Sequence, residues 1–153
     1  MVAAKRGRAP MRASLRGDGA RGARWMNPTK QARRVLIADD RARSRDGLRA
    51  LLATCPEVEV VAEAVDGKHV IDLAELYRPD VIVTDVRMPR MNGLAATRVI
   101  KGRWPEIRVV ILTLYGAHRA DAIAAGADAF VIKGCSADKL LEAIHGWRND
   151  RGA

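Results

Sequence analysis

Two kinds of apolar pattern alternate along the chain. Short runs dominated by β-branched residues, Val35-Leu36-Ile37-Ala38, Val81-Ile82-Val83-Thr84, Val109-Val110-Ile111-Leu112 and Ala129-Phe130-Val131-Ile132, are continuous and predict strands buried on both faces. Val58, Val60, Val61 and Ala62 predict a further strand. Between these runs the apolar residues are spaced instead. Leu48, Leu51 and Leu52 stand at i, i+3 and i+4, and Val70, Leu73, Ala74 and Tyr77 repeat the spacing. Leu94, Thr97, Val99 and Ile100, a short Ala-rich stretch between Ala117 and Ala125, and Leu140, Leu141, Ile144 and Trp147 complete five helical stripes. Breakers close the helices at Cys55-Pro56, Arg78-Pro79, Trp104-Pro105 and Gly126, and Ser136 is placed to cap the last one.

Five strand-helix units in succession require an α/β fold: a parallel sheet covered on both faces, with right-handed crossovers. The common order for five strands is 2-1-3-4-5, the flavodoxin-like doubly wound arrangement, which sets strand one beside strand three. Ligands of such sheets sit outside the carboxyl ends of the strands, where the order reverses. The residues at those ends are Asp39-Asp40, Asp85, Thr113 and Lys133. Three carboxylates are thus expected to converge, an arrangement that repels itself unless a hard divalent cation neutralises it. Mg²⁺ suits such oxygen ligands. A carboxylate nucleophile, a metal site, a hydroxyl and an ammonium together are the parts needed for phosphoryl transfer to an aspartate.

Charge changes the picture only at one end. The chain of 153 residues carries +9. Residues 1–34 hold ten Lys and Arg against the single acid Asp18, and the remainder balances 17 bases with 17 acids. The core is therefore not shaped for polyanions. Residues 1–33 are expected to be a disordered basic extension, with Met26 a candidate for the true start, residues 34–148 a folded domain, and 149–153 a short tail. Cys55 and Cys135 are too few for a metal framework or a disulfide scaffold and point to a reducing cytoplasm. No apolar run approaches the ~20 residues of a membrane span. His69, His118 and His145 are scattered and read as surface residues.

At the strand ends the residues resemble the receiver domain of a two-component response regulator. The matching elements are Val35-Leu36-Ile37-Ala38-Asp39-Asp40, Asp85-Val86-Arg87-Met88-Pro89 with Asn92-Gly93, Leu112-Thr113, and Gly126-Ala127-Asp128-Ala129-Phe130-Val131-Ile132-Lys133, spread over Arg34 to Trp147. The resemblance implies that Asp85 accepts a phosphoryl group from a sensor histidine kinase or phosphotransfer protein. It implies that Asp39 and Asp40 hold Mg²⁺ together with Asp85 and the backbone carbonyl of Arg87, that Thr113 and Lys133 bind phosphoryl oxygens, and that Thr113 and Phe130 act as the switch. Arg87 and Tyr115, two residues after the aspartate and the threonine, correspond to positions that flank the hydrolytic water and tune the phosphate lifetime.

Gly47-Leu48-Arg49-Ala50-Leu51-Leu52 and Ala125-Gly126-Ala127-Asp128-Ala129-Phe130 resemble the subfamily that usually carries a helix-turn-helix output domain. No such domain is expected within this sequence, so direct DNA binding is not expected of it; a homodimer stays open. Two departures stand out. Lys133 precedes Gly134 where many receivers have a proline, so a trans peptide is expected. Leu114 replaces a small residue and is expected to hinder inward rotation of Phe130.

Other classes fit less well. An aspartate-nucleophile phosphatase needs an acid two residues after Asp85, where Arg87 stands. A flavodoxin-like cofactor binder needs a phosphate-cradling loop after strand one, where Asp39-Asp40-Arg41 stands. The competing reading is a nucleic-acid binder that works through the basic arm, distinguished by whether removing residues 1–25 abolishes DNA retention.

Overall fold

A computed structural model of the chain describes residues 31–146. In chain order they form β1 (Arg33–Ala38), α1 (Ala42–Ala53), β2 (Val58–Ala64), α2 (Gly67–Tyr77), β3 (Val81–Thr84), α3 (Gly93–Arg103), β4 (Arg108–Thr113), a 3₁₀ turn (Gly116–His118), α4 (Arg119–Ala125), β5 (Ala129–Ile132) and α5 (Ala137–His145). The strands make one parallel sheet in the order β2-β1-β3-β4-β5. Because β1 and β3 are neighbours with Ala38 opposite Thr84, Asp39 and Asp85 leave the sheet side by side. The Asp85 N–H donates to the Ala38 carbonyl at 3.0 Å and extends the ladder one residue past the strand.

The unbroken apolar runs of the strands follow from burial on both faces. Leu36, Ile82 and Ile111 point into a cluster with Val70 and Ala74 of α2, Leu94 and Ile100 of α3 and Ala122 of α4. Val35, Ile37, Val83 and Val110 point the other way, against Leu52 of α1 and Leu140 and Ile144 of α5. Alternate side chains of one strand thus feed two cores. Neither face of the sheet is left to water.

Several helix details differ from the sequence pattern. Of the α1 stripe only Leu52 is fully buried, while Leu48 and Leu51 pack half-buried at the core margin. In α3 the small Ala96 is buried beside Thr97, and the bulkier Val99 stays half-buried at the edge. The Ala-rich stretch begins as a 3₁₀ turn and becomes helical only at Arg119, anchored by Ala122 and Ala125. Gly126 ends it in the left-handed region at φ 100°, a conformation that costs glycine nothing. Ser136 caps α5, its side chain accepting the Lys139 N–H. Trp147, assigned above to the apolar face of that helix, lies outside the described residues, as do residues 1–30 and the 149–153 tail.

The described peptide bonds are trans, that between Lys133 and Gly134 included. The histidines are not surface residues in the simple sense: all three are half-buried, and His69 reaches back from the first turn of α2 so that its Nδ1 accepts the Val65 N–H at 3.2 Å. Among the described residues no helix is long and apolar enough to cross a membrane.

Candidate functional site

Lys133, the first residue past β5, places its ammonium between the two aspartates. Its Nζ lies 2.8 Å from Asp85 Oδ2 and 2.6 Å from Asp39 Oδ2. The β5 end is fixed for this reach by the Lys133 N–H, which donates to the Thr113 carbonyl at 2.8 Å. Partial burial works to lower the lysine pKa, but the hydrogen bonds and charges of Asp39 and Asp85 outweigh it. The pKa stands above the ordinary value, and Lys133 is a cation at every physiological pH.

Each carboxylate has a second partner. Asp39 Oδ1 accepts the Arg41 N–H at 2.9 Å, and Asp85 Oδ1 accepts the Val86 N–H at 2.6 Å. The Asp39 carbonyl is held by Arg45 at 2.8 Å, and Arg45 also pairs with Glu63 of β2. Asp39 is nearly buried, whereas Asp40 is exposed. Of the three carboxylates expected to converge, Asp39 and Asp85 share the ammonium, and Asp40 lines the same cleft beside Asp85. Successive residues leaving a strand point to opposite sides; once Asp39 is drawn inward by Lys133 and the Arg41 N–H, Asp40 stands on the rim. Among the described residues no group of three or more His, Cys, Asp or Glu side chains stands at metal-holding spacing. The neutralising charge expected of a divalent cation is supplied here in part by the ammonium.

A cleft of about 240 Å³ opens over the pair, lined by Asp40, Arg41, Asp85, Arg87, Leu114, Tyr115 and Lys133. The Arg87 guanidinium lies over the Tyr115 ring, 4.8 Å from its centroid. Leu114 is half exposed at the same mouth. Thr113 and Phe130 do not line the cleft. Thr113 is fully buried and its Oγ1 accepts the Tyr115 N–H at 3.4 Å. Phe130 packs half-buried against the α2–α4 core with Arg119 over its ring at 4.9 Å.

The loop from Val86 to Asn92, which carries the Arg87 carbonyl, is pinned tightly. The Gly93 N–H donates to the Val86 carbonyl at 2.8 Å, and a Cβ on Gly93 would stand 1.9 Å from the Asp85 carbonyl oxygen, so only glycine fits there. Thr84 Oγ1 donates to that same Asp85 oxygen at 2.9 Å. Sequence reasoning missed the partners across the loop. Asp66 caps α2 by accepting the His69 N–H at 2.8 Å and takes the Arg90 Nε at 2.7 Å. The His69 hydrogen bond and the Arg90 charge hold its carboxyl below the ordinary range despite burial. The legible signal was an Asp directly before a helical stripe, an N-cap pattern; its tie to Arg90 has no sequence signature.

A doubly wound sheet with two strand-end carboxylates sharing one lysine at the β1/β3 edge defines an α/β domain of the receiver type. The chain belongs to the response regulator receiver domain family, whose model matches residues 35–145. It is 38% identical over 112 residues to the transcriptional regulatory protein DegU of Brevibacillus brevis, a match covering 72% of this chain and 48% of that protein. With the nitrate/nitrite response regulator protein NarL of Escherichia coli K12 it shares 34% over 114 residues, 72% of this chain and 52% of that protein. The chain spans about half the length of the curated relatives it matches. Among solved structures it resembles a LuxR-family two-component response regulator from Aurantimonas sp. SI85-9A1, with TM-score 0.72, 32% identity and coverage of 76% and 85% of the two chains. The receiver domain of a NarL response regulator from Mycobacterium tuberculosis matches with TM-score 0.72 and 28% identity, covering 76% and 96%.

Proposed function

We propose that this domain is a phosphorylation-controlled switch in a two-component system, with Asp85 the phosphoryl acceptor. One observation carries the reading: Asp85 is a strand-end carboxylate that opens onto a cleft and shares the Lys133 ammonium with Asp39. A phosphohistidine on a sensor kinase or phosphotransfer protein gives up its phosphoryl group to an Asp85 oxygen; the P–N bond breaks, an acyl phosphate forms, and the donor imidazole leaves. The reaction is self-catalysed by the receiver, and in-line attack of water on the acyl phosphate later resets it.

The donor set fits Mg²⁺, which takes one or two carboxylates and completes its octahedron with waters and phosphate oxygens. Asp39, Asp40, Asp85 and the Arg87 carbonyl would hold it, and when bound it neutralises charge on the phosphoryl oxygens. Lys133, already paired with Asp85, passes to a phosphoryl oxygen, and the hydroxyl of Thr113 turns from the Tyr115 N–H towards another. That movement at the β4 end, followed by Phe130 on β5, carries the signal to the α4–β5 side. The bulk of Leu114 opposes the Phe130 movement. DegU and NarL bear the names of transcriptional and nitrate-response regulators, and we infer that this domain likewise acts on transcription through a downstream partner.

Incubation with acetyl phosphate and Mg²⁺ tests the assignment. The intact mass should rise by one phosphoryl group, in an adduct labile to hydroxylamine, and Asp85→Asn should show none. An adduct that persists in Asp85→Asn overturns it.

A further inference from the structure

The N-terminus of α2 grips the loop after β3. The Gly67 N–H donates to the Met91 carbonyl at 2.7 Å, and a Cβ on Gly67 would stand 2.5 Å from that oxygen, so helix and loop meet with no room for a side chain. One residue earlier, Asp66 is buried at 5% exposure, with Oδ1 on the His69 N–H and Oδ2 on Arg90 Nε. Arg90 holds the left-handed backbone at φ 65°, a conformation that a non-glycine residue keeps only where its surroundings enforce it. A strained residue, a buried carboxylate and a glycine contact thus act on two successive loop residues, Arg90 and Met91. The other end of the loop is tied at Val86, whose N–H meets Asp85 Oδ1 and whose carbonyl meets the Gly93 N–H. Only Arg87, Met88 and Pro89 lie between the two anchors, and Arg87 is the residue whose carbonyl the proposed function assigns to the metal.

We propose that Asp66 and Arg90 are positioning residues for that site: their ion pair clamps the far end of the loop and so sets the Arg87 carbonyl and the Asp85 surroundings for Mg²⁺ and phosphoryl binding. The inference rests on the proposed function of Asp85. A purely structural role predicts something different. The cap on α2 stabilises the helix through Oδ1, whereas the clamp uses Oδ2 and the Arg90 guanidinium, which is largely exposed and contributes little to global stability. The two roles can be separated by substitution.

Asp66→Asn keeps an N-cap acceptor while removing the charge that Arg90 meets, and Arg90→Asn removes the guanidinium while placing a residue that tolerates the left-handed region. In both variants, Mg²⁺ titration followed by NMR shifts near Asp85 should show affinity about three- to tenfold weaker than the parent, the size expected for losing one ordinary hydrogen bond, because the pair acts on the metal site only through the loop. The rate of phosphorylation by acetyl phosphate at subsaturating Mg²⁺ should fall by a similar factor and recover at saturating Mg²⁺. Melting temperatures should stay within a few degrees of the parent. The double variant should be no weaker than the poorer single one, because either change already opens the clamp. Parent-like Mg²⁺ affinity in both single variants overturns the inference while leaving the role of Asp85 intact. A parent that takes up neither Mg²⁺ nor phosphoryl overturns the proposed function itself, and this inference with it.

Discussion

Arg87 lies over the Tyr115 ring, its guanidinium carbon 4.8 Å from the ring centroid, and both line the cleft that opens onto Asp85. The two residues come from different loops, one after β3 and one after β4. Their stacking makes them a single cover. An arginine engaged with a ring is held aside from the equatorial oxygens of a phosphoryl group, which Lys133, Thr113 and a metal are assigned to meet. That arrangement favours shielding over an arginine-finger role.

Arg87→Ala and Tyr115→Ala should therefore each speed loss of phosphate from phosphorylated Asp85. A cation–π contact at an exposed site is worth about 0.5–1 kcal/mol, so roughly two- to fivefold is expected. The double variant should hydrolyse little faster than the faster single one, since either change opens the cover. Phosphate release after removal of excess acetyl phosphate measures this, and slower hydrolysis in both single variants refutes the shielding.

Glycine at position 93 is required by the Asp85 carbonyl, which a Cβ would approach to 1.9 Å. The atom in the way is backbone and is also held by Thr84, so the clash can be relieved only by moving the segment that carries Asp85. Gly93→Ala should destabilise the fold by about 3 kcal/mol or more, at the upper end for a single methyl group. Gly47→Ala, on an exposed helical position with open space around it, is the matched control and should be neutral or stabilising. Urea unfolding of the two variants compares them, and equal midpoints would remove the argument for the tight turn.

The parts of the site that were legible in the sequence are those fixed by strand ends. A continuous apolar run, followed at once by Asp39, Asp85 or Lys133, determines where that side chain leaves the sheet, and the strand order then brings the three together. Side-chain direction just past a strand was not legible in the same way: Asp39 and Asp40 look equivalent in sequence, yet the inward pull of Lys133 selects one and leaves the other on the rim. The same limit hid the clamp. Asp66 and Arg90 are 24 residues apart, in two loops whose meeting depends on how α2 sits against α3. In α3 itself, close packing on the sheet admits Ala96 where the periodicity alone equally allowed Val99. Thr113 and Phe130 were recognisable as strand residues, but nothing in their spacing foretold that the hydroxyl would be buried under Tyr115 or the ring covered by Arg119.

Lys133 decides how the two carboxylates coexist, and its removal gives a prediction with a definite sign. The folded-state pKa is raised by Asp39 and Asp85, so the stabilisation that the ammonium contributes is fully present below the unfolded-state value near 10.5 and is lost as pH rises through the higher folded value. At neutral pH, Lys133→Gln should lose about 1–3 kcal/mol, because two carboxylates, 5% and 13% exposed in the parent, are left facing each other with only the Arg41 and Val86 N–H groups as partners. The gap between parent and variant should narrow as pH rises from about 10.5, where the unfolded-state lysine loses its proton, through the higher folded value. Mg²⁺ should stabilise the variant more than the parent, since the cation meets the same oxygens without displacing an ammonium. Thermal melts with and without Mg²⁺ at pH 7 measure the loss and the Mg²⁺ effect, and melts repeated from about pH 9 to about pH 11 measure the narrowing. A smaller Mg²⁺-dependent rise in Tm for Lys133→Gln than for the parent would show that the lysine and the metal do not share these two carboxylates.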